Sequence, residues 1–268
     1  MTAEGYWDRQ YNPRLSVAAA AEYFANWNRR ASEARASTQP IELTYGEHPR
    51  EKLDLFRAPN AKGTLVFIHG GYWRAFSKHE FSWLAPPFLA AGVTVAVLSY
   101  PLCPEVALPR ISIAIDAAMN YLTQSVLNAA ERRRLVLSGH SVGAHLAARY
   151  QSSRRPGQPA HAIVCISGLF DLLPLKHTHM LASLDFQESE LHAASPLFAP
   201  PPATGDVLLA VGAEEPPEFA WQSARLASAW SDRQPQLMTV AGRDHFSVVE
   251  ALAEPGHALF NETLGYFR

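Results

Sequence analysis

Five short runs of continuous apolar residues constrain this chain more than any other feature. They lie at 64–68, 93–98, 135–137, 162–166 and 207–211. A strand with one wet face alternates apolar and polar residues. A run without alternation must be covered on both faces, as in a parallel sheet between helical layers. Helix-compatible stretches fall between the runs, at 79–91, 110–128, 142–152 and 217–230. This alternation predicts an α/β fold around a mostly parallel sheet of about eight strands flanked by helices. Two earlier segments, 41–45 and 52–56, alternate with period two and read as an antiparallel hairpin or ribbon opening the sheet. A helix is expected over 14–36, within an N-terminal helical segment 1–40, and Gln39-Pro40 ends it. The irregular stretch from about 168 to 205 reads as a small cap. Its prolines mark a loop rather than a linker, because the strand pattern resumes at Val207, so residues 1–268 read as one domain.

Composition narrows the function classes. At 268 residues and 48% apolar content, the chain can bury a sizeable core. Its formal net charge of −2, with no basic patch, points away from nucleic acid. No apolar run approaches the ~20 residues that span a bilayer, and no signal-peptide pattern opens the chain, so no membrane partner is expected. Two cysteines, Cys103 and Cys165, fit a reducing cytoplasm better than a disulfide framework, and neither sits in a nucleophile motif.

In an open α/β sheet, ligands bind beyond the carboxyl ends of the strands. The residues that follow each predicted strand are therefore the candidates. After the first run come His69, Gly70, Gly71, Tyr72 and Trp73. After the third comes Gly139-His140-Ser141-Val142-Gly143, a Gly-x-Ser-x-Gly pentapeptide between strand and helix. That context makes it a nucleophile elbow, with Ser141 on a sharp turn that only small neighbours permit. Ser167 to Asp171 follow the fourth run and Glu214 and Glu215 the fifth, and Asp244-His245-Phe246 comes after Val240. Serine, acid and histidine thus occur in the chain order of an α/β-hydrolase triad. The chemistry would be acyl transfer. His245 takes the Ser141 proton, an acid orients His245, and the amides of Gly70, Gly71 and Val142 receive the oxyanion. His69 fits a role in fixing the oxyanion loop by hydrogen bonds. His177 and His179 form a His-x-His pair with no third ligand at sensible spacing, so no metal is expected.

The set His69-Gly70-Gly71-Tyr72-Trp73, Gly139 to Leu146 and Asp244-His245-Phe246 resembles the kynurenine formamidases (arylformamidases). These are α/β-hydrolases close to the hormone-sensitive-lipase-like esterases. Tyr11-Asn12-Pro13-Arg14, Ser167-Gly168-Leu169-Phe170-Asp171 and the stretch 211–219 extend the resemblance over nearly the whole chain. The resemblance implies hydrolysis of an N-formyl aromatic amide to formate and free amine, with no cofactor and a small-molecule substrate. It aligns the family's catalytic aspartate with Glu215, leaving Glu214 and Glu218 as neighbouring alternatives. It also puts Val142 where the family usually has a smaller residue, adding bulk beside the oxyanion. Tyr72, Trp73, Phe170, His177 and Phe246 are candidates for the substrate pocket. Phe76 is a further aromatic for it, and Arg74 or Lys78 could pair with a substrate carboxylate. A carboxylesterase for short acyl esters, another N-acyl aromatic hydrolase, and a binding protein that kept the fold without the chemistry are the alternatives. A homodimer stays open.

Overall fold

The structure, a computed structural model, describes residues 3–153 and 160–268. Three helices come first: α1 (Ala3–Tyr11), α2 (Pro13–Ser16) and α3 (Ala20–Thr38). The eight strands are β1 (Ile41–Thr44), β2 (Lys52–Phe56), β3 (Thr64–Ile68), β4 (Thr94–Leu98), β5 (Leu135–His140), β6 (Ala162–Ile166), β7 (Asp206–Gly212) and β8 (Gln236–Val240). They form one sheet in the order β1-β2-β4-β3-β5-β6-β7-β8. β1 pairs antiparallel with β2 and β2 with β4; every later pair is parallel. The sheet is the one the apolar runs predicted, opened by the antiparallel ribbon read from the period-two segments.

Helices cover both faces: α4 (Ala85–Ala90), α5 (Leu108–Tyr121), α6 (Ala129–Arg133), α7 (Val142–Ser152), α8 (Glu188–Ala194), α9 (Pro217–Ala229) and α10 (Ala258–Gly265). β3 shows why its sequence does not alternate. Leu65 and Phe67 pack in a core with Trp27 of α3, Phe88 of α4 and Leu259 of α10. Val66 and Ile68 pack in the opposite core with Ile115 of α5, Leu146 of α7 and Leu226 of α9. Both faces are dry, so both must be apolar.

Two expected helices are broken. The helix expected over 14–36 is interrupted at Val17, whose backbone is extended (φ −115°, ψ 98°), and restarts at Ala20. The one expected over 79–91 begins as a 3₁₀ turn, Lys78–Leu84, and turns α-helical only at Ala85. Pro86 and Pro87 follow; neither has an N–H to donate backwards, so the α-helix cannot run through them and starts there instead.

Lys78 does not reach a substrate. It is buried, with Nζ 2.8 Å from Oδ1 of the fully buried Asp54 and 2.7 Å from Glu42, while Arg35 pairs with the other Asp54 oxygen. A cation so placed balances a buried carboxylate. No helix among the described residues is long and apolar enough to cross a membrane.

The topology locates the site. β4 lies on one side of β3 and β5 on the other, so the chain reverses its progress across the sheet at β3. The crevice beyond the carboxyl ends of β3 and β5 is where such sheets hold ligands.

Candidate active site

β5 runs directly into Ser141, and α7 begins at the next residue. Ser141 has φ 57° and ψ −121°, a region non-glycine residues adopt at a cost of about 1–3 kcal/mol. Both glycines of the elbow are sterically required. A Cβ at Gly139 would lie 2.2 Å from the Gly143 backbone, and one at Gly143 would lie 2.0 Å from the Ile68 carbonyl oxygen. The Ser141 N–H donates to the Ile166 carbonyl at 2.8 Å, tying the turn to β6. Val142 opens α7, so its N–H belongs to the first helical turn, whose amides lack intrahelical acceptors. Its side chain is fully buried in the core shared with α5 and does not line the cavity. The side chain expected to add bulk beside the oxyanion packs into that core.

The loop after β3 folds against the elbow. A Cβ at Gly70 would sit 2.9 Å from the His140 carbonyl oxygen and 3.1 Å from the Ser141 Cβ, so glycine permits this approach. Gly71, Tyr72, Trp73 and Phe76 all have positive φ. Hydrogen bonds hold this strained path. His69 Nδ1–H donates to the Gly70 carbonyl at 2.8 Å, Tyr100 donates to the His69 carbonyl at 2.8 Å, and Arg50 donates to the Phe76 carbonyl. Burial pushes the His69 pKa down to about 3, so the ring is neutral, and the bond to the carbonyl puts its one proton on Nδ1.

His245 follows β8 and points back over the sheet. Its Nδ1–H donates to Glu215 Oε2 at 2.6 Å, and both side chains are almost fully buried. The other Glu215 oxygen accepts from the Gly212 N–H at 2.7 Å and from the Ser167 hydroxyl. Of the three glutamates considered, Glu215 is the one that meets His245. Glu214 is exposed, and Glu218 accepts from Tyr6 and Tyr11. His140 Nε2–H donates to the His245 carbonyl at 2.8 Å. Asp244 accepts from the Phe246 and Ser247 N–H groups, both at 2.8 Å, which fixes the turn that carries the histidine.

Burial has a consequence for stability. His69, His140 and His145 are all enclosed, and desolvation depresses each pKa, to about 3 for His69, about 4 for His145 and well below the usual value for His140. The unfolded chain protonates these rings near pH 6.5 and the folded chain does not, so unfolding takes up protons. This stabilisation is complete above pH ~6.5. It is lost as pH falls toward 4, at up to about 1.4 kcal/mol per pH unit for each ring. Urea denaturation should show a clearly lower midpoint at pH 5 than at pH 7; equal midpoints would contradict the assignment of three neutral buried rings.

Ser141 and His245 share a cavity of about 340 Å³ with Gly70, Gly71, Tyr72 and Phe246. Three of the five expected pocket residues are elsewhere or turned away. Trp73 is fully buried, its indole edge-on to His145 at 5.4 Å and to Phe186 at 5.9 Å, because the positive-φ path rotates it behind the loop. Phe170 is buried in the core, and its ring occupies the space where a Cβ of Gly168 would be. His177 stacks on Trp7 in a separate groove. Their places are taken by Phe24 and Trp27 of α3, by Phe76, and by Met180 and Leu181 of the β6–β7 segment. Asn12, Pro13 and Arg14, at the start of the chain, close the wall.

A serine on a strand–helix elbow and a carboxylate-bound histidine, both lining one cavity at the sheet's carboxyl edge, fit the architecture of an α/β-hydrolase. The chain belongs to the α/β-hydrolase fold family, whose pattern matches residues 65–253. Within that fold it is similar to kynurenine formamidases. It is 27% identical to that of Danio rerio over 95% of this chain and 91% of the relative, and 29% identical to that of Salmo salar over 82% and 79%. Among solved structures, a candidate thioesterase from a Silicibacter species superimposes with a TM-score of 0.85 at 34% identity, covering 94% of this chain and 96% of that one.

Proposed function

We propose that this protein is a serine hydrolase that cleaves N-formyl aromatic amides of the N-formylkynurenine type. The observation that carries the chemistry is the 2.6 Å bond between His245 and Glu215 beside a cavity that also contains Ser141. The similarity to kynurenine formamidases and the aromatic walls, Phe24, Phe76 and Phe246, support the substrate class.

In this reading the formyl carbonyl oxygen lies toward the amides of Gly70, Gly71 and Val142. The Ser141 hydroxyl attacks the formyl carbon while its proton passes to His245 Nε2. Glu215 holds the tautomer that leaves Nε2 free and stabilises the imidazolium. Negative charge on the former carbonyl oxygen is met by amides already in place, at a helix N-terminus that favours it. The tetrahedral adduct collapses, His245 returns the proton to the leaving aryl amine, and Ser141 carries the formyl group. Water, deprotonated by His245, then adds to the formyl carbon. The adduct breaks its bond to Ser141 Oγ, which takes the proton back from His245, and formic acid leaves and ionises to formate.

Supplying N-formylkynurenine and following the absorbance of kynurenine tests the reading. Purified, folded protein that leaves the amide intact would sink it. The similarity to a candidate thioesterase favours one second reading, hydrolysis of activated acyl esters or thioesters. A panel of p-nitrophenyl esters, acyl thioesters and formanilides ranks the two.

A further inference from the structure

Carboxylates that pack into this molecule generally have their own cation. Asp54 is paired with Lys78 and Arg35, Glu51 with Arg110, Glu131 with Arg57, and Asp171 with Arg225. Some arginines have no carboxylate partner among the described residues, Arg50 and Arg233 for example, which donate to carbonyls. Two such arginines stand on the cavity over Ser141. Arg14 comes from α2 and Arg74 from the loop after β3. Neither has a carboxylate partner among the described residues, and no aspartate or glutamate lines the cavity.

Both are held in place. Arg74 Nη1 donates to the Met180 carbonyl at 2.7 Å, which uses one of the five N–H groups of its guanidinium. The Arg14 guanidinium lies 5.3 Å above the ring of Phe24, itself a cavity wall. Both arginines are exposed, whereas Ser141 and His245 are 3% and 2% exposed. The cavity is thus polarised along its depth. The reacting groups lie at the enclosed end, aromatic rings between, and two cations at the open end.

We propose that Arg14 and Arg74 form an anion subsite that binds a carboxylate on the far end of the substrate from the scissile acyl group. The inference rests on Ser141 marking the reacting end. It selects a flat aromatic acyl amide or ester bearing a carboxylate over a neutral one. Guanidinium–carboxylate bonds are directional and can be bidentate, so the subsite would fix orientation as well as affinity. A cavity of about 340 Å³ is at the small end of ligand pockets and suits one ring with a short charged side chain.

The test compares an aryl formamide bearing a carboxylate with its primary carboxamide, and the same pair built as aryl acetates. The wild-type protein should prefer the carboxylate by about 10- to 100-fold in kcat/KM, through KM. Arg14→Gln and Arg74→Gln should each shrink that preference about tenfold, and the double variant should abolish it. Equal use of carboxylate and carboxamide by the wild type, or a preference that survives in the double variant, would overturn the proposal. Aryl acetates cleaved with the charge preference while formamides stay intact would leave the subsite standing and remove the formamidase reading. Calorimetric binding of the carboxylate-bearing aryl amine to Ser141→Ala protein reads the subsite without catalysis. Binding should weaken at least tenfold when both arginines are replaced; unchanged binding would refute the proposal even if every substrate were inert.

Discussion

Replacing Ser141 with alanine should lower kcat on an aryl formamide by about 10⁴-fold or more while the protein keeps its fold. Without the hydroxyl no acyl-enzyme forms, and what survives is water attack on a carbonyl polarised by the oxyanion amides. The fold should survive because the elbow does not use the side chain. Ser141 is anchored through its main-chain N–H to Ile166, and the close contacts of the turn are made by Gly139 and Gly143. A fluorophosphonate probe gives an independent reading, labelling the wild type and not the variant. Kinetics in Ser141→Ala that match the wild type would remove the proposed mechanism altogether.

The second large effect is expected at Glu215. Glu215→Gln preserves size but offers the His245 Nδ1 an amide that can turn its NH₂ toward the ring, favouring the tautomer with the proton on Nε2. That histidine cannot accept the Ser141 proton. In a serine protease triad the comparable change costs about 10⁴-fold in kcat, and a loss of 10³- to 10⁴-fold is expected here. With the NH₂ toward the ring, the amide oxygen keeps Oε1's two partners, the Gly212 N–H and the Ser167 hydroxyl, so the loss of rate should come without the loss of those bonds. Glu214→Gln and Glu218→Gln serve as comparisons, and each should cost less than tenfold in kcat. Glu214 is exposed, and Glu218 anchors Tyr6 and Tyr11 rather than His245. A pH–rate profile separates the roles, since loss of the acid should alter the limb that reports His245, whereas a purely structural defect would scale the profile without reshaping it. If Glu218→Gln proved the crippling change and Glu215→Gln did not, the assignment would be wrong.

The parts of this molecule legible in the sequence are those governed by local or periodic rules. Strands dry on both faces must be continuously apolar, so the runs containing Val66, Val97, Leu137, Val164 and Leu209 announced the parallel sheet. The elbow was legible because its geometry forbids side chains at Gly139 and Gly143. The order of Ser141, the acid and His245 followed from strand ends that meet at one sheet edge. What escaped depends on where a side chain points within an irregular loop. Tyr72 and Trp73 are adjacent and both aromatic, but consecutive positive φ values send one to the cavity and bury the other. No periodicity encodes that difference. Lys78 read as a cation for a substrate carboxylate because its own partner, Asp54, lies on β2, far from it in sequence. Phe24 and Trp27 lie on α3, and nothing local in that helix says that it also walls the cavity. Ser167 had one usable signal: it follows a buried strand, where an unexpected small polar residue often supports a neighbouring side chain.

The cavity draws its parts from nearly the full length of the chain. Its wall begins at Asn12, its floor comes from Gly70 and Ser141, and His245 arrives only after β8. Contacts so distant in sequence must close long loops and are slow to form. During synthesis, a chain that has emerged through β7 holds Ser141, Gly70, Gly71 and the N-terminal wall but not His245, the base of the proposed mechanism. On that mechanism, a nascent polypeptide at this stage should be chemically silent. The proposed capacity to attack an acyl group would then arise only when the last strand has docked beside β7 and the rest of the sheet is in place to receive it.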